Sequence, residues 1–261
     1  MIEAVTKGPW AQRLTVLALV LSVGGLIAAL VAAVGSGQGA WHFGVGFGIL
    51  RYAFYAAIAG GIVAVVAFVM SRRSGARTGR LNLLALVVAL LFAGYLTSYI
   101  MTARSVPAIH DVTTDLVDPP QFAALSVRAD NLENIPDGGR PERGAMDPES
   151  RWKALHREAY GDLRPLRLPG TVASTKKLGQ SLMLDRGWKI AKIAPDAGTI
   201  EATATTLFFR FKDDVVLRVR PDPAREGGSI VDMRSISRVG GSDVGVNAER
   251  IRAFLRDLQQ G

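Results

Sequence analysis

At 261 residues, 49% of them hydrophobic, and with a mean hydropathy of +0.21, the chain has room for one membrane region and one modest soluble domain, and excludes several large cores. The net charge of +8 would suit a nucleic-acid partner, but residues 1–103 carry seven basic residues against Glu3 alone, a net of +6, and the remainder carries 24 basic and 22 acidic, a net of +2. The excess therefore flanks apolar segments, no nucleic-acid partner is expected, and the absence of cysteine excludes disulfides, thiolate nucleophiles and zinc–thiolate sites.

Within a transmembrane region over 1–103, three apolar runs, about 14–34, 50–70 and 81–101, have the roughly 20-residue length needed to cross the hydrocarbon of a bilayer. The first is long, continues through Gly and Ala and is soon followed by two more, so it reads as retained rather than as a cleaved signal. Lys and Arg favour the cytoplasmic side, and the short loop Ser71–Arg80 carries Arg72, Arg73, Arg77 and Arg80. This predicts a multi-pass protein of the cell inner membrane. The N-terminus, with Lys7 and Arg13, is cytoplasmic; the loop Gly35–Ile49 lies outside, and everything after Thr102 is periplasmic.

That outer loop mixes glycine with Trp41, Phe43 and Phe47, as an interfacial segment dipping into headgroups would. His42 reads as an interfacial polar residue, the alternative being a ligand or proton-relay role. The runs lack internal Asp, Glu, Lys and Arg apart from Arg51 at an edge, which favours an anchor over a channel or transporter. Tyr95, Thr97, Ser98 and Tyr99 suit helix packing and interface anchoring.

Residues 104–146 read as an extended strap and loop. His110, Asp111, Asp115 and Asp118 are spaced closely enough to suggest a metal, but Pro107, Pro119 and Pro120 mark an irregular segment rather than a fixed ligand scaffold. An ordered strap with Ile109 and Phe122 packed on the domain is the preferred reading, with no metal and no cofactor expected. The run Ala129–Asp147 is rich in turn formers and is read as a loop.

The soluble domain, 147–261, is expected to be α+β, an antiparallel sheet packed against helices. Asp147 followed by Pro148 predicts a helix start, with Trp152, Leu155, His156 and Ala159 on one face and His156 as a half-buried packing residue. A second helix is predicted over Val172–Arg186, ended by Gly187. Alternation then predicts strands at Trp188–Ala194, Thr199–Thr205, Asp213–Arg220 and Ser229–Arg238, with a break near Leu207–Lys212, and a last helix beginning after Asn247.

Chemistry is concentrated between Asp213 and Arg250. Neighbouring strand residues point to opposite faces, so Asp213 and Asp214 do not form an acid–base pair on one substrate. Asp214, Val216, Arg218 and Arg220 share one face, as do Asp232, Arg234, Ile236 and Arg238 on the next strand. If the hairpin aligns, Arg218 and Arg234 bracket Asp232 and reach Asp214. Such a lattice is either a structural clasp or an anion site. In the second case Arg234 and Arg238 supply charge, and Gly240, Gly241, Gly245 and the start of the last helix, capped by Asn247, supply N–H donors. Ser235, Ser237 and Ser242 have no histidine near them in sequence, Asp243 alone does not activate a hydroxyl, and no nucleophile elbow, P-loop or dinucleotide fingerprint is present. No catalytic residue is assigned.

The segments GWKI, IEATATT, FKDDVVLRV and RSISRVGGSDVGVNAERIRAFL resemble the domain of unknown function family number 1499, and the strap HDVTTD…DPPQF resembles that of its membrane-anchored bacterial members. The resemblance supports Asp213, Asp214, Arg218, Arg234, Ser235, Ser237, Arg238, Gly240, Ser242, Asp243, Gly245, Asn247 and Arg250 as motif positions and implies no activity. The expectation is a membrane protein in contact with the lipid bilayer, whose outer domain binds an envelope protein, another envelope component or a small anionic ligand. The alternative is a metal-free hydrolase or transferase using an Asp of the 213–243 stretch.

Overall fold

The computed structural model describes residues 8–261; Glu3 and Lys7 of the charge count lie outside the described residues. The chain forms two compact units, one of Met1–Met101 with Leu207–Arg210 and one of Thr102–Thr206 with Phe211–Gly261. Each is described by itself.

The first unit is built on α1 (Pro9–Gly37), α2 (Phe43–Ser74) and α3 (Gly79–Ser105), each long and apolar enough to cross a membrane. On α1 the buried positions Ala11, Thr15, Ala18, Ser22, Gly25, Ala29 and Ala32 recur at alternating spacings of four and three. Ala53, Ala57, Gly60, Ala64, Ala67 and Ser71 do the same on α2. A heptad of small residues lets two antiparallel backbones approach closely, which is how apolar helices associate where lipid gives no hydrophobic drive. The approach needs glycine at its tightest points, since a Cβ on Gly60 would lie 2.8 Å from the Ser22 backbone nitrogen and one on Gly25 would lie 3.1 Å from the Ala53 carbonyl oxygen.

The expected interfacial loop is shorter than the sequence suggests. Phe43 to Ile49 are the first turns of α2, with His42 as its N-cap: the ring Nδ1 accepts the Gly44 N–H at 3.2 Å. Glycines at 44, 46 and 48 disguised this helix start, because their low helix propensity is outweighed by tertiary packing.

The second unit carries β1 (Asp111–Thr113), a 3₁₀ turn at Pro141–Ala145, α4 (Pro148–Tyr160), β2 (Leu166–Leu168), α5 (Val172–Asp185), β3 (Lys189–Ala194), β4 (Thr199–Thr205), β5 (Lys212–Pro221), β6 (Ser229–Ser237) and α6 (Val246–Gln260). The fold is α+β. All pairings are antiparallel, in the order β1-β6-β5-β4-β3, and β2 shares the outer side of β6 with β1, beside Ser229–Val231 where β1 lies beside Arg234–Ile236. The three strap residues of β1 are thus an edge strand of the sheet. Asp147 caps α4 by accepting the Ser150 N–H, with Pro148 in the first turn, and Gly187 follows α5 at φ 69°.

One sheet face is apolar. Ile200, Ala202, Val215, Leu217, Val219, Val231 and Met233 are buried there with Met183 of α5, Ile251, Phe254 and Leu258 of α6, and Trp152 and Leu155 of α4. Trp188 stacks on Phe254 with ring centroids 5.5 Å apart. The other face is polar and lies beneath strap residues that follow β1.

Candidate functional site

Strand alternation divides the Asp213–Arg250 cluster between the two faces, so it is two sites and not one. In the β5–β6 register Arg218 lies opposite Asp232, Asp214 opposite Ile236 and Asp213 opposite Ser237. Asp214, Arg218, Asp232, Arg234 and Arg238 emerge on the strap face, while Asp213, Ser235 and Ser237 meet α6.

On the strap face each guanidinium is matched to a carboxylate. The buried Asp232 Oδ2 accepts from Arg218 Nε at 3.1 Å and from Arg220 Nε and Nη2 at 3.0 and 2.7 Å. Arg218 continues to the Asp118 carboxylate and carbonyl, both at 2.8 Å. The expected bracket around Asp232 exists, but Arg220 replaces Arg234 in it. Arg234 instead makes a two-pronged bond to Asp111 on β1, Nε to Oδ1 at 3.0 Å and Nη2 to Oδ2 at 2.7 Å. Arg238 pairs the same way with Asp214, at 2.8 Å for both bonds, and shares the Thr203 hydroxyl with it.

On the helix face Arg250 reaches Asp213 at 2.5 Å and Ser235 at 3.0 Å. Asn247 lies inside α6, fully buried, and does not cap it. Its amide donates to the His110 carbonyl and the Ser237 hydroxyl, both at 3.0 Å, and its oxygen accepts from Ser235 at 2.6 Å. The N-cap is Gly245, at φ 80°, and the Asp243 carboxylate two residues before it accepts the N–H groups of Gly245 at 2.9 Å and Asn247 at 2.8 Å. Of the backbone donors expected to cradle an external anion, Gly245 and the first turn of α6 are therefore filled from within. Burial pushes the Asp243 carboxyl above the usual range, against the lowering effect of those two N–H bonds. Ser242 accepts the Val244 N–H, and the Gly240 carbonyl accepts from Arg128 at 2.7 Å.

The strap aspartates with metal-ligand spacing are spent on the fold, whereas the His110 ring is buried and neither of its nitrogens is hydrogen-bonded. Asp111 holds Arg234, Asp115 accepts the N–H groups of Val117 and Asp118, and Asp118 holds Arg218. Among the described residues no group of three His, Asp or Glu side chains is placed to hold a metal.

His156 is fully buried rather than half-buried, at 1% exposure, and its Nε2 accepts the Thr113 N–H at 3.1 Å. Loss of solvation pushes its pKa down to about 4, so the ring is neutral and tethers α4 to β1. A folded pKa below the unfolded value of about 6.5 means that the unfolded chain takes up protons first, and this contribution is intact above pH 6.5 and lost as pH falls toward 4. Asp243, with its raised pKa, opposes the trend by binding its proton more readily when folded. The His156 term amounts to about 3 kcal/mol at its limit. Melting of the full chain in detergent is expected to weaken between pH 7.5 and 5, and His156→Gln, which keeps an acceptor but cannot ionise, should flatten that dependence. Equal pH profiles for the two proteins would refute the assignment.

Three participants lie outside the residues that the sequence singles out for the cluster. Glu201 on β4, 1% exposed, accepts the successive backbone N–H groups of Ala123, Ala124 and Leu125 at 2.8 to 3.1 Å and so ties the strap to the sheet. Arg220, on the face that alternation predicts, joins the cluster through Asp232. Arg128 donates to Asp130 as well as to Gly240, and that bond holds the Asp130 pKa down to about 2. The one local clue was Glu201, a lone acidic residue in the alternating strand TIEATAT.

Between strap and sheet lies a depression of about 230 Å³, walled by Phe122, Val127 and Ile236 and flanked by Arg128, Asp214 and Arg238. Arg238 is the most open of these charged groups, its side chain 41% exposed, and the bonds to Asp214 and Thr203 use only Nε and Nη2.

These features define an α+β domain whose polar sheet face is clasped by its own N-terminal strap, joined to three helices of membrane-spanning length. The chain belongs to the family described as protein of unknown function (DUF1499), whose model matches residues 111–258. No curated protein and no solved structure matches the chain.

Proposed function

We propose that the chain is an inner-membrane protein that holds the 111–258 domain in the periplasm as a binding module for a small carboxylate- or phosphate-bearing ligand, received in the depression beside Arg238. The topology rests on Arg72, Arg73, Arg77 and Arg80 around the α2–α3 turn. A reporter fused to the C-terminus that works only in the cytoplasm should stay silent, and strong activity would reverse the orientation.

The observation that carries the binding reading is the pairing of an apolar wall with two guanidiniums at one opening. A volume near 230 Å³ is small for a ligand pocket and suits a molecule of few atoms. Arg238 supplies a charged donor edge at Nη1 while Asp214 fixes the orientation of the group. Arg128, steered by Asp130 and Gly240, offers a second charge across the opening. The Asp213 and Asp232 carboxylates are engaged by arginines and Asp243 by backbone N–H groups, which favours binding over an aspartate-based hydrolase.

The test is to purify the full chain in mild detergent and identify co-purifying small molecules by mass spectrometry. Arg238→Gln is expected to weaken capture of an anion about tenfold or more, the scale of one charge-assisted hydrogen bond. Because Asp214 is buried and loses its charged partner, the variant should also melt at a lower temperature, so capture is compared where both proteins are folded. Equal recovery from both proteins, or no anion from either, would sink the reading.

A further inference from the structure

The β4–β5 connection, Thr206 to Phe211, reads TLFFRF and places apolar side chains where a hairpin loop is ordinarily polar. It is closed at its base by Thr206 N–H to the Phe211 carbonyl and by Phe211 N–H to the Thr206 hydroxyl, both at 2.9 Å. At its tip Leu207 is 80% exposed and Phe208 49% exposed. Phe209 and Arg210 both have positive φ, 58° and 54°, a conformation that disfavours bulky side chains. They are two of the four non-glycine residues in that region among the described residues. The loop belongs to the helical unit, with the Phe209 ring 4.8 Å from that of Phe47 on α2, and this contact together with the closed base holds Leu207 and Phe208 as its exposed tip, a presentation for which such strain is retained.

We propose that this protrusion is a membrane-contact element, with Leu207 and Phe208 entering the boundary between headgroups and acyl chains and Arg210 and Lys212 meeting anionic headgroups. The lipid surface is favoured over a protein partner by the chain itself: three helices commit it to a bilayer, and only residues 106–110 separate the end of α3 from β1. An apolar tip followed by basic residues is the chemistry of interfacial insertion, in which buried apolar area and attraction to anionic lipid add. The element would give the domain a second point of attachment besides α3. The inference rests on the membrane-tethered part of the proposed function and not on its anion site.

The absence of native cysteine allows a single nitroxide label at Leu207→Cys, with Glu226→Cys in the exposed β5–β6 loop as the aqueous reference. Both full-length proteins are reconstituted in vesicles of phosphatidylcholine and phosphatidylglycerol, and label collision is measured with oxygen, which concentrates in lipid, and with a polar nickel chelate, which stays in water. The oxygen-to-nickel ratio at 207 is expected to exceed that at 226 several-fold. Equal ratios would overturn the proposal. A label at 207 that is immobile and shielded from both reagents would also overturn it, since that reports a protein contact. A reversed C-terminal reporter would refute the periplasmic orientation while leaving this depth measurement unaffected, and failed anion capture would likewise leave it standing.

Discussion

Arg234→Ala is expected to cost the 111–258 domain about 3–5 kcal/mol, the range found when one partner of a buried ion pair is removed. Arg234 is 8% exposed and Asp111 1% exposed, and the Asn131 amide adds a further bond to the same carboxylate at 2.6 Å. Truncating Arg234 therefore strands a buried charge at the junction of β1 and β6. Asp111→Ala should be similarly harmful. The double variant should cost clearly less than the sum, because neither charge is left unpaired. Denaturant melts of all three proteins check this, and strict additivity would mean that the pair is not a coupled clasp.

Glu201→Ala is expected to have the next largest effect, about 2–4 kcal/mol, since it leaves three consecutive backbone N–H groups without the carboxylate that satisfies them. Glu201→Gln should be almost as costly, because one amide end then turns a donor toward donors. Hydrogen exchange at Ala123, Ala124 and Leu125 gives a local readout: it should accelerate in both variants, while amides in the centre of β5 slow or quicken only with global stability. Unchanged exchange at those three positions would show that the strap is held by other contacts.

Both predictions concern residues whose partners are far away in the chain, and this is where the sequence was silent. Alternation in IEATATT and VVLRVR located β4 and β5 to within a residue or two, because a sheet with one apolar face imposes a period of two. Asp147 and Pro148 marked α4 because capping is a local interaction. The pairing of Arg234 with Asp111 spans 123 positions, and no local rule could choose Asp111 over Asp232 as its partner. Asn247 has the residue type of a helix cap, whereas the register of the preceding turn makes Gly245 the N-cap and sends Asn247 into the core. The strand β2 was not anticipated either, since three residues beside a longer strand leave too short a pattern to detect. The two-faced division of the charged cluster was legible from alternation for Asp213 and Asp214, yet Ser235 and Arg250 could be assigned to the helix face only once α6 was placed.

The pairing of β1 with β6 also dictates an order of events during synthesis. β1 is the first strand of the domain to leave the ribosome and β6 the last, separated by more than a hundred residues in their register. The sheet edge cannot close, and Asp111 cannot meet Arg234, until the chain is almost complete. Contacts of such separation demand a costly loop closure before they return any stability, whereas the β3–β4, β4–β5 and β5–β6 hairpins close locally. Until then Asp111 waits for its arginine while Asp118 and residues 123–125 can already meet Arg218 and Glu201, so the strap is laid down on β4 and β5 from its far end and locked at β1 last.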